Sequence, residues 1–84
     1  MTNKEILKKK IIYRSLHRGT KEMDLLLGNF VKKYINKFSK NELRNLENLL
    51  FLDDEVISKW FFEKKFNNTV PKNRVTLLFK KFKL

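Results

Sequence analysis

No cysteine occurs in this chain of 84 residues. That excludes disulfides, thiolate zinc sites and a cysteine nucleophile, while saying nothing of compartment. Histidine occurs once, at His17, which leaves no basis for a histidine-built metal cluster. Two glycines and one proline are too few for an all-β chain rich in turns or for a disordered one. No apolar run approaches the roughly 20 residues that a membrane helix needs. The start, MTNKEILKKK, is basic but lacks the apolar stretch and small-residue cleavage site of a signal peptide, and the Arg/Ser bias of a transit peptide. A soluble cytoplasmic protein without membrane insertion is therefore expected. Neither the G-x-x-x-x-G-K-[ST] phosphate loop nor the G-x-G-x-x-G dinucleotide fingerprint is present. Ser15 and Ser58 have no visible catalytic partners, so an independent enzyme is not expected.

What the chain has in excess is positive charge. Its formal net charge is +11, and all but four of its 20 basic residues are lysine. Such a charge suits a polyanion binder held by phosphate contacts. It equally suits lysines spread over solvated faces, and these run from Lys4 to Lys83 without forming one block. Charge alone does not specify nucleic acid. The aromatics, 13% of residues, fall mostly on apolar stripes where core packing explains them; Phe62 and Phe66 are the least explained. Only four arginines are available to read base edges. A small basic helical nucleic-acid-binding protein remains the alternative function; nucleic acid is not the expected partner.

The apolar spacing predicts five helices. The first runs from about Asn3 to Leu16, capped by Thr2 or Asn3, with Glu5 in its first turn. Its apolar residues do not form one narrow stripe, so it should touch neighbours on two sides. In the second, Met23, Leu26, Leu27, Phe30, Val31, Tyr34, Ile35 and Phe38 fall at helical spacing over four turns. Gly28 interrupts that helix, at a cost of about 1 kcal/mol relative to Ala, and can permit a close approach by a neighbour. The third begins with an S-x-x-E capping box, Ser39 to Glu42, and buries Leu43, Leu46, Leu49 and Leu50. The fourth starts at Asp53 or Asp54, with Val56, Ile57, Trp60 and Phe61 in phase. The trio Asp53, Asp54 and Glu55 reads as acids at a helix N-terminus rather than as a metal site. After the loop signal at 66–73, Pro71 suits the first turn of a fifth helix, which runs to about Phe82. Together these predict an all-α fold, a compact five-helix, bundle-like single domain spanning 1–84.

One segment stands out chemically. Arg14 and Arg18 lie one turn apart in a chain that otherwise uses lysine, and Arg offers a planar fork that Lys cannot copy. They lead into HRGTKEMDLLLGNF, residues 17–30. A purely structural reading has Gly19 ending the first helix in a left-handed conformation and Thr20 capping the second, with Glu22 and Asp24 in its first turn. Arg18 would then pair with Glu22 across the junction, worth at most about 1 kcal/mol at a surface. A functional reading makes the segment a working surface. The residues by themselves leave both open.

The stretch YRSLHRGTKEMDLLLGNF, residues 13–30, resembles the FAD assembly factors, or flavinylation factors, of succinate dehydrogenase. The R-G-x-x-E motif of that family reads here Arg18-Gly19-Thr20-Lys21-Glu22, followed by Met23 and Asp24. The likeness continues through the Ser39 cap, LLFLDDEVISKWF from Leu49 to Phe61, and the last amphipathic helix. It implies a small all-helical factor that binds the flavoprotein subunit of succinate dehydrogenase and promotes covalent attachment of FAD to one of its histidines. The fumarate reductase flavoprotein is implied as a second client in some bacteria. The chemistry would belong to the client, and no cofactor would be held stably by the factor. Arg18, Gly19 and Glu22 would be the working motif, flanked by Asp24, His17 and Arg14, with Arg18 and Glu22 bonding to groups near the flavin site. Gly19 would keep the junction tight enough for a flat approach to the client.

Overall fold

A computed structural model describes residues 2–65 and 68–83. Five helices follow one another: α1 (Asn3–Leu16), α2 (Lys21–Tyr34), α3 (Lys40–Leu50), α4 (Asp54–Phe61) and α5 (Arg74–Lys81). No strand occurs among the described residues. Most of the starts are dictated by short polar side chains. Thr2 Oγ1 accepts the N–H of Glu5, and Thr20 Oγ1 accepts that of Met23. Ser39 and Glu42 close the expected capping box, with bonds of 3.2 and 2.9 Å. Asp53 precedes α4 in extended backbone but makes no side-chain cap bond.

Two boundaries differ from the sequence expectation. The apolar stripe of α2 continues to Phe38, yet the helix stops at Tyr34. Ser39 must be extended to cap α3, so residues 35–38 are spent on the turn between them. Ile35 and Phe38 still reach the core from that turn, at 6% and 3% exposure. Pro71 is not in the first turn of α5. A second capping box starts that helix, in which Asn73 and Thr76 bond each other's backbone N–H, and Pro71 lies before it as an acceptor for Thr76 Oγ1 at 2.8 Å. Asn73 is the better starter because its carbonyl oxygen satisfies an orphan N–H, which proline cannot do.

The core is one cluster. α1 packs on both α2 and α3, as its scattered apolar residues suggested, and α3 packs on α5. Ile11, Leu27, Phe30, Leu43, Leu46, Ile57, Val75 and Phe79 are fully buried. Phe30 of α2 meets Phe79 and Phe82 edge-on at 5.0 and 5.4 Å, and Phe79 also meets Trp60 and Phe61 of α4. These rings tie the two short C-terminal helices to the long central one, each pair contributing about 0.5–1.5 kcal/mol beyond its buried area. A Cβ at Gly28 would sit 3.0 Å from Leu16 Cδ2, so the glycine does mark the close approach of α1 to α2. Phe62 is half exposed against Phe61, while Phe66 lies outside the described residues.

The radius of gyration, 12.0 Å, matches the roughly 12 Å expected of a compact domain of this length. What matters for function is that α1 ends, α2 begins, α3 ends and α4 begins at one end of the molecule.

Candidate functional site

α1 gives out at His17, whose backbone leaves the helical region. Its ring stacks on Tyr13 at 3.9 Å, and its Nδ1 lies 2.7 Å from the Tyr13 carbonyl oxygen. A carbonyl can only accept, so Nδ1 carries the proton of that bond, and the ring is exposed. The chain then turns through Arg18 and Gly19 without any left-handed residue: no glycine has positive φ among the described residues. The expectation that Gly19 ends α1 as a left-handed cap is thus corrected. Gly19 is needed for space instead. A Cβ there would lie 2.9 Å from Asp54 Oδ2, the atom that accepts the Gly19 N–H at 2.7 Å.

Arg18 does not pair with Glu22. Its guanidinium reaches across to the α3–α4 junction, where Nε donates to Asp54 Oδ1 at 2.8 Å and Nη2 forms an ion pair with the same oxygen at 2.6 Å. Nη1 donates to the Leu50 carbonyl at 2.6 Å and Nη2 to that of Leu52 at 2.9 Å. The Leu50 carbonyl at the end of α3 has no intrahelical partner, and Leu52 lies in the turn after it, so the fork satisfies acceptors of the helix end and the turn together. The Arg18 side chain is only 9% exposed and Asp54 24%. Asp24, in the first turn of α2, accepts the Arg18 backbone N–H at 2.6 Å and fixes where the chain enters. Arg18, Gly19, Asp24 and Asp54 therefore form a bolt between two helix junctions, through bonds that span 32 to 36 residues of sequence. In sequence the Asp54 carboxylate read only as helix-dipole decoration. The signal that could have located it was a fixed-fork arginine needing a carboxylate partner, but sequence spacing does not choose among nine acids.

Around the bolt lie side chains with free chemistry. Arg14 is exposed, and its guanidinium carbon sits 4.3 Å from the centroid of the Phe51 ring. Phe51 is itself 56% exposed, an unusual position for a large ring and one that the sequence reading missed. Glu22 is exposed in the first turn of α2 and makes no hydrogen bond or ion pair with a described residue. Arg14, His17, Arg18 and Gly19 line one shallow depression of about 300 Å³ together with residues 50–54. Of the six expected site residues, the structure thus gathers Arg14, His17, Arg18 and Gly19 around this depression, puts Asp24 behind it as a support, and leaves Glu22 on the neighbouring turn. The expected outward role of Arg18 does not fit its burial. No group of acids or histidines suited to a metal ion occurs among the described residues, and no helix there is long and apolar enough to cross a membrane.

Relatives match over about two thirds of the chain. The succinate dehydrogenase assembly factor 2, mitochondrial, of Scheffersomyces stipitis is 45% identical over 56 residues, covering 67% of this chain and 38% of that protein. The protein of the same name from Dictyostelium discoideum is 42% identical over 60 residues, covering 71% and 43%. The FAD assembly factor SdhE of Acetobacter pasteurianus is 34% identical over 55 residues, covering 66% and 50%. The chain thus spans half or less of the length of these relatives. No solved structure matches it significantly. A family model described as flavinator of succinate dehydrogenase matches residues 9–83, which takes in all four helix junctions and the whole Arg18–Asp54 bolt, and the chain belongs to that family.

Proposed function

We propose that the chain is an assembly factor which docks on the flavoprotein subunit of succinate dehydrogenase and promotes covalent attachment of FAD to it. The five helices would act as one flavinylation-factor unit over residues 1–84, with the fumarate reductase flavoprotein as a second client. Family membership supplies the class of activity. The observation that carries the site is the division inside R-G-x-x-E: Arg18 is committed to Asp54 and two carbonyls, while Glu22, Arg14 and His17 around it keep free hydrogen-bonding capacity. A surface whose backbone is bolted and whose outer side chains keep hydrogen-bonding capacity is preorganised for a partner. Arg14 on Phe51 supplies the arginine and aromatic anchors that dominate binding energies at interfaces. Glu22 offers a carboxylate to a donor on the client, a charge-assisted bond.

On this reading the factor holds no cofactor of its own. It favours the client conformer in which the receiving histidine and the flavin are aligned, and the attachment chemistry stays with the client. The factor works in whatever compartment holds that client. The cytoplasm is the compartment the sequence suggests, and the mitochondrial label belongs to the names of the eukaryotic relatives. The test is to incubate the apo flavoprotein subunit with FAD, with and without this protein, and read covalent flavin by in-gel fluorescence. A gain in rate or yield supports the function, and no gain removes it. A nucleic-acid binder would instead hold DNA or RNA at nanomolar level in physiological salt.

A further inference from the structure

Five of the nine acids cluster at one end of the molecule. Glu22, Asp24, Asp53, Asp54 and Glu55 gather where α2 and α4 begin. Between Asp24 and Glu42 there is no acid, and after Glu63 there is none to the end of the chain. The fold brings these two acid-free segments together, because Phe82 after α5 packs on Phe30 of α2. Lys32, Lys33, Phe82 and Lys83 line one wide, shallow depression of about 540 Å³ with Asn29, and Lys37 lies beside Lys33 over the Tyr34 ring. Lys80 and Lys81 extend the same charge along the last turn of α5. This end is about 18 Å along α2 from the Arg18 junction, at 1.5 Å per residue.

We propose that this lysine end is a peripheral docking surface for anionic phospholipid headgroups. The depression is open and its lysines are exposed, so a single phosphate would gain little there, whereas an array of headgroup charges can engage several lysines at once. Nucleic acid fits less well. The rings within the face are already covered: Tyr34 by Phe38 and two lysines, Phe82 by Phe30 and Lys33, Trp60 by Lys80. Among the described residues, no ring of this face is left free to stack a base, and no arginine stands in it to read one. Leu77, 54% exposed and one turn before Lys81, is an apolar side chain of the kind the headgroup boundary accepts and a duplex backbone does not. The acids at the far end would turn the Arg18 junction away from the bilayer, leaving it open to a client. Docking here is independent of the client and needs no spanning helix.

The test is co-sedimentation of the full chain with vesicles of phosphatidylcholine, with and without phosphatidylglycerol, at physiological ionic strength. Binding should require the anionic lipid. The triple substitution Lys32→Gln, Lys33→Gln, Lys83→Gln should weaken it about hundredfold, since each lysine near such a surface contributes roughly fivefold. The start of α1 lies against the end of α2, where Lys8 bonds Asn36, so the charge-matched control is taken from the Arg18 end: Arg14→Gln, Lys21→Gln, Lys59→Gln should change it by no more than about twofold. All six side chains are exposed, and melting of both variants verifies that the fold is intact. No anionic-lipid binding, an equal loss in the control, or tighter lysine-dependent binding to duplex DNA than to vesicles would each overturn the proposal. None of these outcomes bears on flavinylation of a purified client, which is read separately.

Discussion

Replacing Arg18 with Ala tests the bolt directly. The wild-type guanidinium makes four short contacts, two to the Asp54 carboxylate and two to the carbonyls of Leu50 and Leu52, from a side chain 9% exposed. Its loss leaves the carboxylate, among the described residues, with the Gly19 N–H alone and leaves both carbonyls beside a new void. Removing one partner of a buried pair costs about 3–5 kcal/mol. Asp54 retains some solvent contact, so the lower end, about 3 kcal/mol, is the expected value. For a chain of this length that lowers the melting temperature by roughly 12–24 °C. It is also a large share of a total stability of about 4–12 kcal/mol. Arg18→Lys should recover less than half, because an ammonium cannot span a carboxylate and two carbonyls with one fork. A cycle combining Arg18→Ala with Asp54→Ala, read by urea unfolding, should give a coupling of about 1.5–3 kcal/mol. A single-mutant loss under about 0.5 kcal/mol, the scale of an exposed ion pair, would refute the reasoning and return Arg18 to the outer surface.

Three further outcomes follow from the same geometry. Gly28→Ala should raise stability by about 0.5 kcal/mol in thermal melts, because the helix gains up to about 1 kcal/mol and the crowded atom is the end of a half-exposed Leu16 that can step aside. Lys64→Gly should stabilise by about 1 kcal/mol in urea unfolding. Lys64 takes φ 56° after α4 while the Lys65 N–H bonds back to the Lys59 carbonyl, a helix ending that glycine adopts without the Cβ penalty. The Ser39 N–H first, and the Arg74 guanidinium with it, hold the Glu42 carboxyl below the ordinary 4.5, and Lys59 does the same for Glu55. Depressed carboxyls stabilise the fold above pH 4.5, and that contribution fades as pH falls through their folded-state values. Melting temperature followed from neutral pH downward should therefore drop below that point, and Glu42→Gln should flatten the drop.

The helices were readable because their signals are local. The period of Met23 to Tyr34 and the Ser39–Glu42 box need only neighbours a few residues away. The end of α2 was not, since Ile35 and Phe38 stay apolar for the core although the helix has finished. The two boundary errors share a cause: an apolar pattern reports burial, and a capping side chain reports the helix start. Within the site, the segment was legible and its internal roles were not. Arg18 looked like the outward-facing residue because its partner lies 36 positions away, behind acids that already had an explanation at the start of α4. Phe51 followed Leu49 and Leu50 in sequence and gave no sign that it would sit exposed under Arg14. Tertiary pairing, absent from any local pattern, made both assignments.

The central claim is that the bolted junction presents Glu22 and its neighbours to a client flavoprotein. Covalent flavin on the apo flavoprotein subunit, measured by in-gel fluorescence with wild type and with Glu22→Ala at a temperature where both are folded, tests it most directly. Wild type should raise the yield. Glu22→Ala should melt within about 1 kcal/mol of wild type, the limit of its helix-dipole contribution. It should nevertheless lose roughly tenfold or more in potency, the worth of one charge-assisted bond. No gain with wild type, or full potency in the variant, would contradict the account.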